Sequence, residues 1–128
     1  MTLPTFSDKY PLLVMRVLLG IIFVTHGAAR LWWWSIPDFA KFLDDKGFLV
    51  GLPLAWAITI GEIVSGSLLA LGWKVRYCLL FHTAIILMGI MLVHARLGWF
   101  VVGLRGGGVE YSLLILAVMA VLYSRAEK

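Results

Sequence analysis

The stretch PLAWAITIGEIVSGSLLALG, residues 53–72, decides the fold. It is apolar from end to end except for one charge, Glu62, and it closes at Gly72-Trp73-Lys74. A hydrocarbon core about 30 Å thick needs about 20 residues of helix, so this stretch is long enough to cross a bilayer once. Segments of similar character lie on either side: residues 10–31 before it, then 75–95 and 109–123 after it. The last is short, which implies modest tilt or a start inside the Gly103–Gly108 segment. Lys9 before the first apolar run gives it some likeness to a secretion signal, but Arg16 inside the run argues against cleavage.

Composition leads to the same class. Of 128 residues, 62% are hydrophobic and 14% charged, with a mean hydropathy of +0.96. An average soluble domain is roughly 45–50% apolar, and its core cannot absorb this much more. The expected fold is therefore all-α: an integral membrane four-helix bundle, one domain over residues 1–128. The net charge of +4 does not indicate nucleic acid, because the basic residues stand singly at the ends of apolar segments. Cys78 is alone, so neither a disulfide nor a thiolate metal site is available within the chain.

The breaks between segments are also readable. Gly72-Trp73-Lys74 followed by Arg76 makes a tight turn between antiparallel neighbours. Arg105-Gly106-Gly107-Gly108 reads as a turn, with an anion-binding nest as the alternative. The long connection from Trp32 to Leu52 places Ile36, Phe39, Ala40 and Leu43 at helical spacing opposite Asp38, Lys41, Asp44 and Asp45. This is a short amphipathic helix suited to the membrane interface. Trp32, Trp33 and Trp34 before it suit headgroup-level anchors, with quinone stacking as the alternative.

Basic residues divide six to five between the two sides: Lys9, Arg16, Lys74, Arg76, Arg125 and Lys128 against Arg30, Lys41, Lys46, Arg96 and Arg105. That bias places both termini in the cytoplasm.

Charges inside apolar segments need a reason, since each costs on the order of 2.5–3.5 kcal/mol near the bilayer centre. Glu62 is too short to reach water from mid-segment, so it must face the bundle and either keep its proton or find a cation. The same segment spaces Ala57, Gly61 and Ser65 four apart, a ridge for close helix packing, with Glu62, Gly66 and Ala70 in the adjoining row. By depth, His26, Arg30, His94 and Glu110 belong to one half of the membrane, with Arg96 just beyond. If they converge they form a polar pocket beneath the amphipathic helix. Each histidine taken singly can equally serve as an interhelical hydrogen-bond partner. No two histidines have the spacing of a metal pair, His82 reads as structural, and Arg16 is expected to extend its guanidinium to the near interface, with a buried pair to Glu62 as the alternative.

Several of these landmarks together resemble the DoxX family of small four-helix bacterial membrane proteins. They are Arg16; His26-Gly27-Ala28-Ala29-Arg30-Leu31, similar to the family's His-Gly-x-x-Lys/Arg-Leu; Gly51-Leu52-Pro53; the run from Glu62 to Gly72; and Arg76. The resemblance implies the cytoplasmic (inner) membrane of a bacterium and association with membrane redox systems. Those systems include the quinone-reducing membrane subunit of thiosulfate oxidation and accessory proteins of oxidative-stress complexes. Many members carry a Gly-rich tail that the ending Ser124-Arg125-Ala126-Glu127-Lys128 lacks, which leaves roles tied to that tail unsupported.

Three functions compete. In a quinone-linked redox accessory subunit, Glu62, His26 and His94 would be the catalytic groups, moving protons or hydrogen-bonding the quinone, while Arg30, Glu110 and Arg96 bind it. No haem, flavin or iron–sulfur pattern is present, so another redox protein would supply electrons. A structural or anchoring subunit, in contact with lipid and with a partner or further copies of itself, is the alternative. A small carrier using Glu62 as an ion site is the third, and it would need oligomerisation.

Overall fold

The computed structural model describes residues 9–103 and 106–127; Arg105 and Lys128, counted above for orientation, lie outside them. Helix α1 spans Lys9–Trp32, α2 Ile36–Asp45, α3 Gly51–Leu71 and α4 Val75–Leu97, the last containing a π-helical turn over Ile90–His94. Helix α5 spans Glu110–Arg125. The chain is an all-helical membrane protein. Three helices, α1, α3 and α4, are long and apolar enough to cross a membrane. At about 1.5 Å per residue the 16 residues of α5 extend only about 24 Å.

The four longer helices close a ring in which α3 packs on α1 and α4, and α5 packs on α4 and α1. The α1–α3 contact is the most extensive, and glycine explains it. A Cβ added at Gly20 would sit 2.6 Å from the Gly66 carbonyl oxygen and 2.7 Å from Ala70 Cβ. One added at Gly27 would sit 2.8 Å from the Thr59 carbonyl. Backbones this close gain dispersion contacts that lipid cannot supply, which is how helices associate where no hydrophobic driving force separates them from solvent. The buried residues of α3, namely Gly51, Ala55, Thr59, Glu62, Gly66 and Leu69, recur every three or four positions and trace this seam.

The small-residue ridge needs correction in its assignment. Helix α1 packs on the row Glu62, Gly66 and Ala70, so Glu62 lies within the closest contact and not at its edge. Gly61 and Ser65 turn to α4 instead: a Cβ on Gly61 would meet Phe81 Cζ at 2.5 Å, and Ser65 bonds to His82. Ala57 is exposed. Adjacent rows on one helix point in different directions, and two neighbouring helices use one each.

Helix α2 does more than lie at an interface. Ile36, Ala40 and Leu43 are buried and pack with Ala55 of α3, flanked by Leu31, Phe39 and Ile58. Asp44 Oδ1 accepts the Gly51 N–H at 2.7 Å, tying the end of α2 to the unsatisfied amides that begin α3. The acids Asp38, Asp44 and Asp45 and the base Lys41 are exposed, as the amphipathic pattern requires.

Trp32, Trp33 and Trp34 are exposed, and Trp34 meets Trp56 edge to face. The α3–α4 turn is as tight as its sequence suggests: Gly72 adopts a left-handed conformation and the N–H of Trp73 bonds back to the Leu68 carbonyl. In the connection before α5, the N–H groups of Gly106, Gly107 and Gly108 donate to the carbonyls of Gly103, Val101 and Phe100. They are spent on the loop itself, so this is a plain turn and not an anion nest.

Candidate functional site

Glu62, 5% exposed, forms an ion pair with Arg30 across the α1–α3 seam. Packing contacts explain why Arg30 is the partner. Gly20 lies opposite Gly66 and Ala70, and Gly27 lies opposite Thr59 and Ile63, so the antiparallel helices bring Arg30 level with residues about one turn from Glu62. Its long stem spans that turn. The guanidinium Nε donates to Thr59 Oγ1 at 3.0 Å, and the Thr59 hydroxyl donates to the Ala55 carbonyl at 2.7 Å. Phe39 of α2 covers the guanidinium, with its ring centroid 5.0 Å from Cζ. Arg30 is thus held by a carboxylate and a hydroxyl of α3 and by an aromatic face of α2.

The remaining expected site residues do not join this pair. His26, one helical turn before Arg30, is exposed and makes no hydrogen bond among the described residues. His94, on the π-helical turn, is bonded through Nδ1 to the Gly107 carbonyl at 2.6 Å. Glu110 accepts the Val101 N–H at 2.8 Å. These two side chains fasten the 98–109 connection to the ends of α4 and α5. Arg96 is exposed. The six residues therefore separate into a buried pair, an exposed imidazole, two loop fasteners and a surface cation. Depth along a helix places residues at one level but does not fix the direction in which each points.

Sequence reading missed Thr59 and Phe39. Thr59 lies three residues before Glu62 and so on its face, which is a usable signal; Phe39 could be placed only by the docking of α2.

A second polar centre lies deeper. His82, fully buried, stacks on Phe23 with ring centroids 3.6 Å apart and meets Phe81 edge to face. Its Nε2 is 2.7 Å from Ser65 Oγ, which itself donates to the Gly61 carbonyl at 2.6 Å. With the serine proton spent on Gly61, Nε2 carries the imidazole hydrogen. Nδ1 is left without a partner among the described residues. These contacts agree with the structural role expected for His82.

Among the described residues no group of three or more His, Cys, Asp or Glu side chains is placed to hold a metal. A guanidinium and a carboxylate in an apolar surrounding do suit the carbonyl and hydroxyl oxygens of a lipid-soluble quinone, the first as donor and the second as proton acceptor. The family model for DoxX matches residues 11–95, from the start of α1 through most of α4, and includes both members of the ion pair. No curated protein and no solved structure matches the chain.

Proposed function

This chain belongs to the DoxX family, and from that premise we propose that it is a quinone-linked accessory subunit of a redox system in the bacterial inner membrane. In this reading it crosses the bilayer four times with both termini in the cytoplasm. The observation that supports it is the Arg30–Glu62 pair, buried within an apolar helix contact, with the exposed His26 one turn before Arg30 on α1. A lipid-soluble headgroup approaches from the side on which His26 lies. Arg30 donates a hydrogen bond to a carbonyl oxygen. Glu62 and His26 relay the two protons that quinone takes up as a partner redox protein delivers two electrons, giving the quinol. Arg96, His94 and Glu110 act on the bound headgroup only if the 98–109 connection opens.

The test is direct. Protein purified in mild detergent is extracted and its quinone measured, comparing wild type with Glu62→Gln, Arg30→Gln and His26→Ala. Quinone that accompanies the wild type and is lost from all three supports this reading. A folded wild type without quinone transfers the assignment to an anchoring subunit. The observation favouring that second reading is that the pair, completed by Thr59 and Phe39, is satisfied within the chain. In that case crosslinking in membranes should capture a partner, and Glu62→Gln should lower the yield of the complex.

A further inference from the structure

At the opposite end of the bundle, where α1 begins, α3 turns into α4 and α5 ends, a half-open cleft of about 990 Å³ has an unusual lining. Among the described residues it carries five cations, Lys9, Arg16, Lys74, Arg76 and Arg125, against one carboxylate, Glu127. Helices α1, α4 and α5 and the α3–α4 turn border it. The general preference for basic residues on one side of a membrane accounts for their presence but not for their placement. Arg16 and Arg76 each bury Nε with no hydrogen-bond partner among the described residues. Both guanidinium groups are also held in place. Arg16 lies against the backbone at Gly72, where a Cβ would sit 2.5 Å from Nη1, and Arg76 lies over the Tyr123 ring at 4.9 Å. Two positioned guanidinium groups with unspent donors imply an acceptor that the described protein does not provide.

We propose that this cleft binds a phosphate-bearing anion between the helices, with Arg16 and Arg76 donating to its oxygens and Lys74 at the rim. Guanidinium N–H groups match phosphate geometry, and several cations converging on one cleft favour a group carrying full negative charge. Apolar side chains, among them Leu12, Leu80 and Leu122, line the same cleft, so an acyl chain can lie beside the phosphate. The ligand is therefore an anionic phospholipid headgroup or a free phosphate; basic pockets between membrane helices serve the first in this way.

The full chain in mild detergent is offered phosphatidylglycerol and phosphatidylcholine in equal amounts, and bound lipid is counted by native mass spectrometry. A parallel arm titrates inorganic phosphate and follows the unfolding temperature and the displacement of phosphatidylglycerol. Preferential retention of phosphatidylglycerol, reduced roughly fivefold by Arg16→Gln or by Arg76→Gln and unchanged by Lys41→Gln at the other end, supports a lipid headgroup. Stabilisation by inorganic phosphate without lipid, lost in the same two variants, supports a soluble source. Should either arginine variant fail to fold, Lys74→Gln at the exposed rim must show a smaller loss in the same direction. Equal retention of the two lipids without a phosphate effect, or a preference that survives the arginine variants and Lys74→Gln, overturns the proposal.

Discussion

Helix α1 carries two arginines fourteen positions apart, and they meet opposite fates. Arg30 finds Glu62, Thr59 and Phe39 and is satisfied from two helices, α3 and α2. Arg16, about 21 Å away along the helix axis, finds the glycine at the end of α3 and, among the described residues, no carboxylate. The antiparallel stagger that sets Gly27 against Thr59 and Ile63 also sets Arg16 against Gly72. One geometric relation thus makes one arginine an internal tie and leaves the other facing a cleft. A cation on an apolar helix is explained only by what stands opposite it.

Breaking the internal tie should have the largest effect. Arg30→Met leaves Glu62 buried without its cation and should destabilise the fold by about 3–5 kcal/mol, read as a lowered unfolding midpoint in detergent. The double variant Arg30→Met with Glu62→Met should recover most of that loss, because two apolar side chains remove the need for pairing. A double variant no better than the single would mean that the ion pair does not account for the cost.

The stagger can be attacked next. Gly20→Leu forces a side chain into the Gly66 carbonyl and Ala70, and should cost about 1–3 kcal/mol by separating α1 from α3. Crosslinking between cysteines introduced at Arg30 and Glu62 should slow in that background. Unchanged crosslinking would show that the seam tolerates displacement and that the two arginines are not placed by a shared register.

At the other end, Gly72→Ala imposes a left-handed conformation on a residue with a Cβ, at about 1–2 kcal/mol, and displaces the Arg16 guanidinium. The informative readout is a difference: stability should fall while the Arg30–Glu62 crosslink forms at its normal rate. A smaller effect is expected from His94→Ala, which removes one hydrogen bond to Gly107 and should cost about 0.5–1.5 kcal/mol. Faster amide exchange at Gly106–Gly108, with no change across the α1–α3 seam, would confirm that His94 is a local fastener. His26→Ala should move stability least, since its exposed side chain makes no hydrogen bond among the described residues. A large loss of stability there would place His26 in a contact with another copy or a partner.

Much of the architecture was legible in the sequence because bilayer thickness, helix rise and turn residues act locally. The expected segments 10–31, 53–72 and 75–95 correspond to α1, α3 and α4 within two residues at each end. The shortness of the last segment was equally visible: α5 has 16 residues and falls below the length of the other three. The apolar face of α2 was readable from spacing alone. Glu62 was identifiable as a residue that must keep its proton or find a cation, because its depth and short side chain keep it from water, and Arg30 was among the candidates by height.

Direction and stagger were not legible. His26 is close to the level of Glu62, yet it is exposed and makes no hydrogen bond among the described residues, and sequence gives the height of a helical residue far better than the neighbour it faces. His94 and Glu110 share that half of the membrane, but the backbone of the 98–109 connection lies close enough to occupy both. Which row of small residues receives α1 depends on how two glycines on α1 meet α3, a contact between residues some forty positions apart. The sequence by itself determined that the chain enters a membrane as apolar helices with one carboxylate that must keep its proton or find a cation. The tertiary structure alone decided which cation reaches it and which is left facing a cleft, because pairing depends on the register between helices, and register is fixed by packing across the seam.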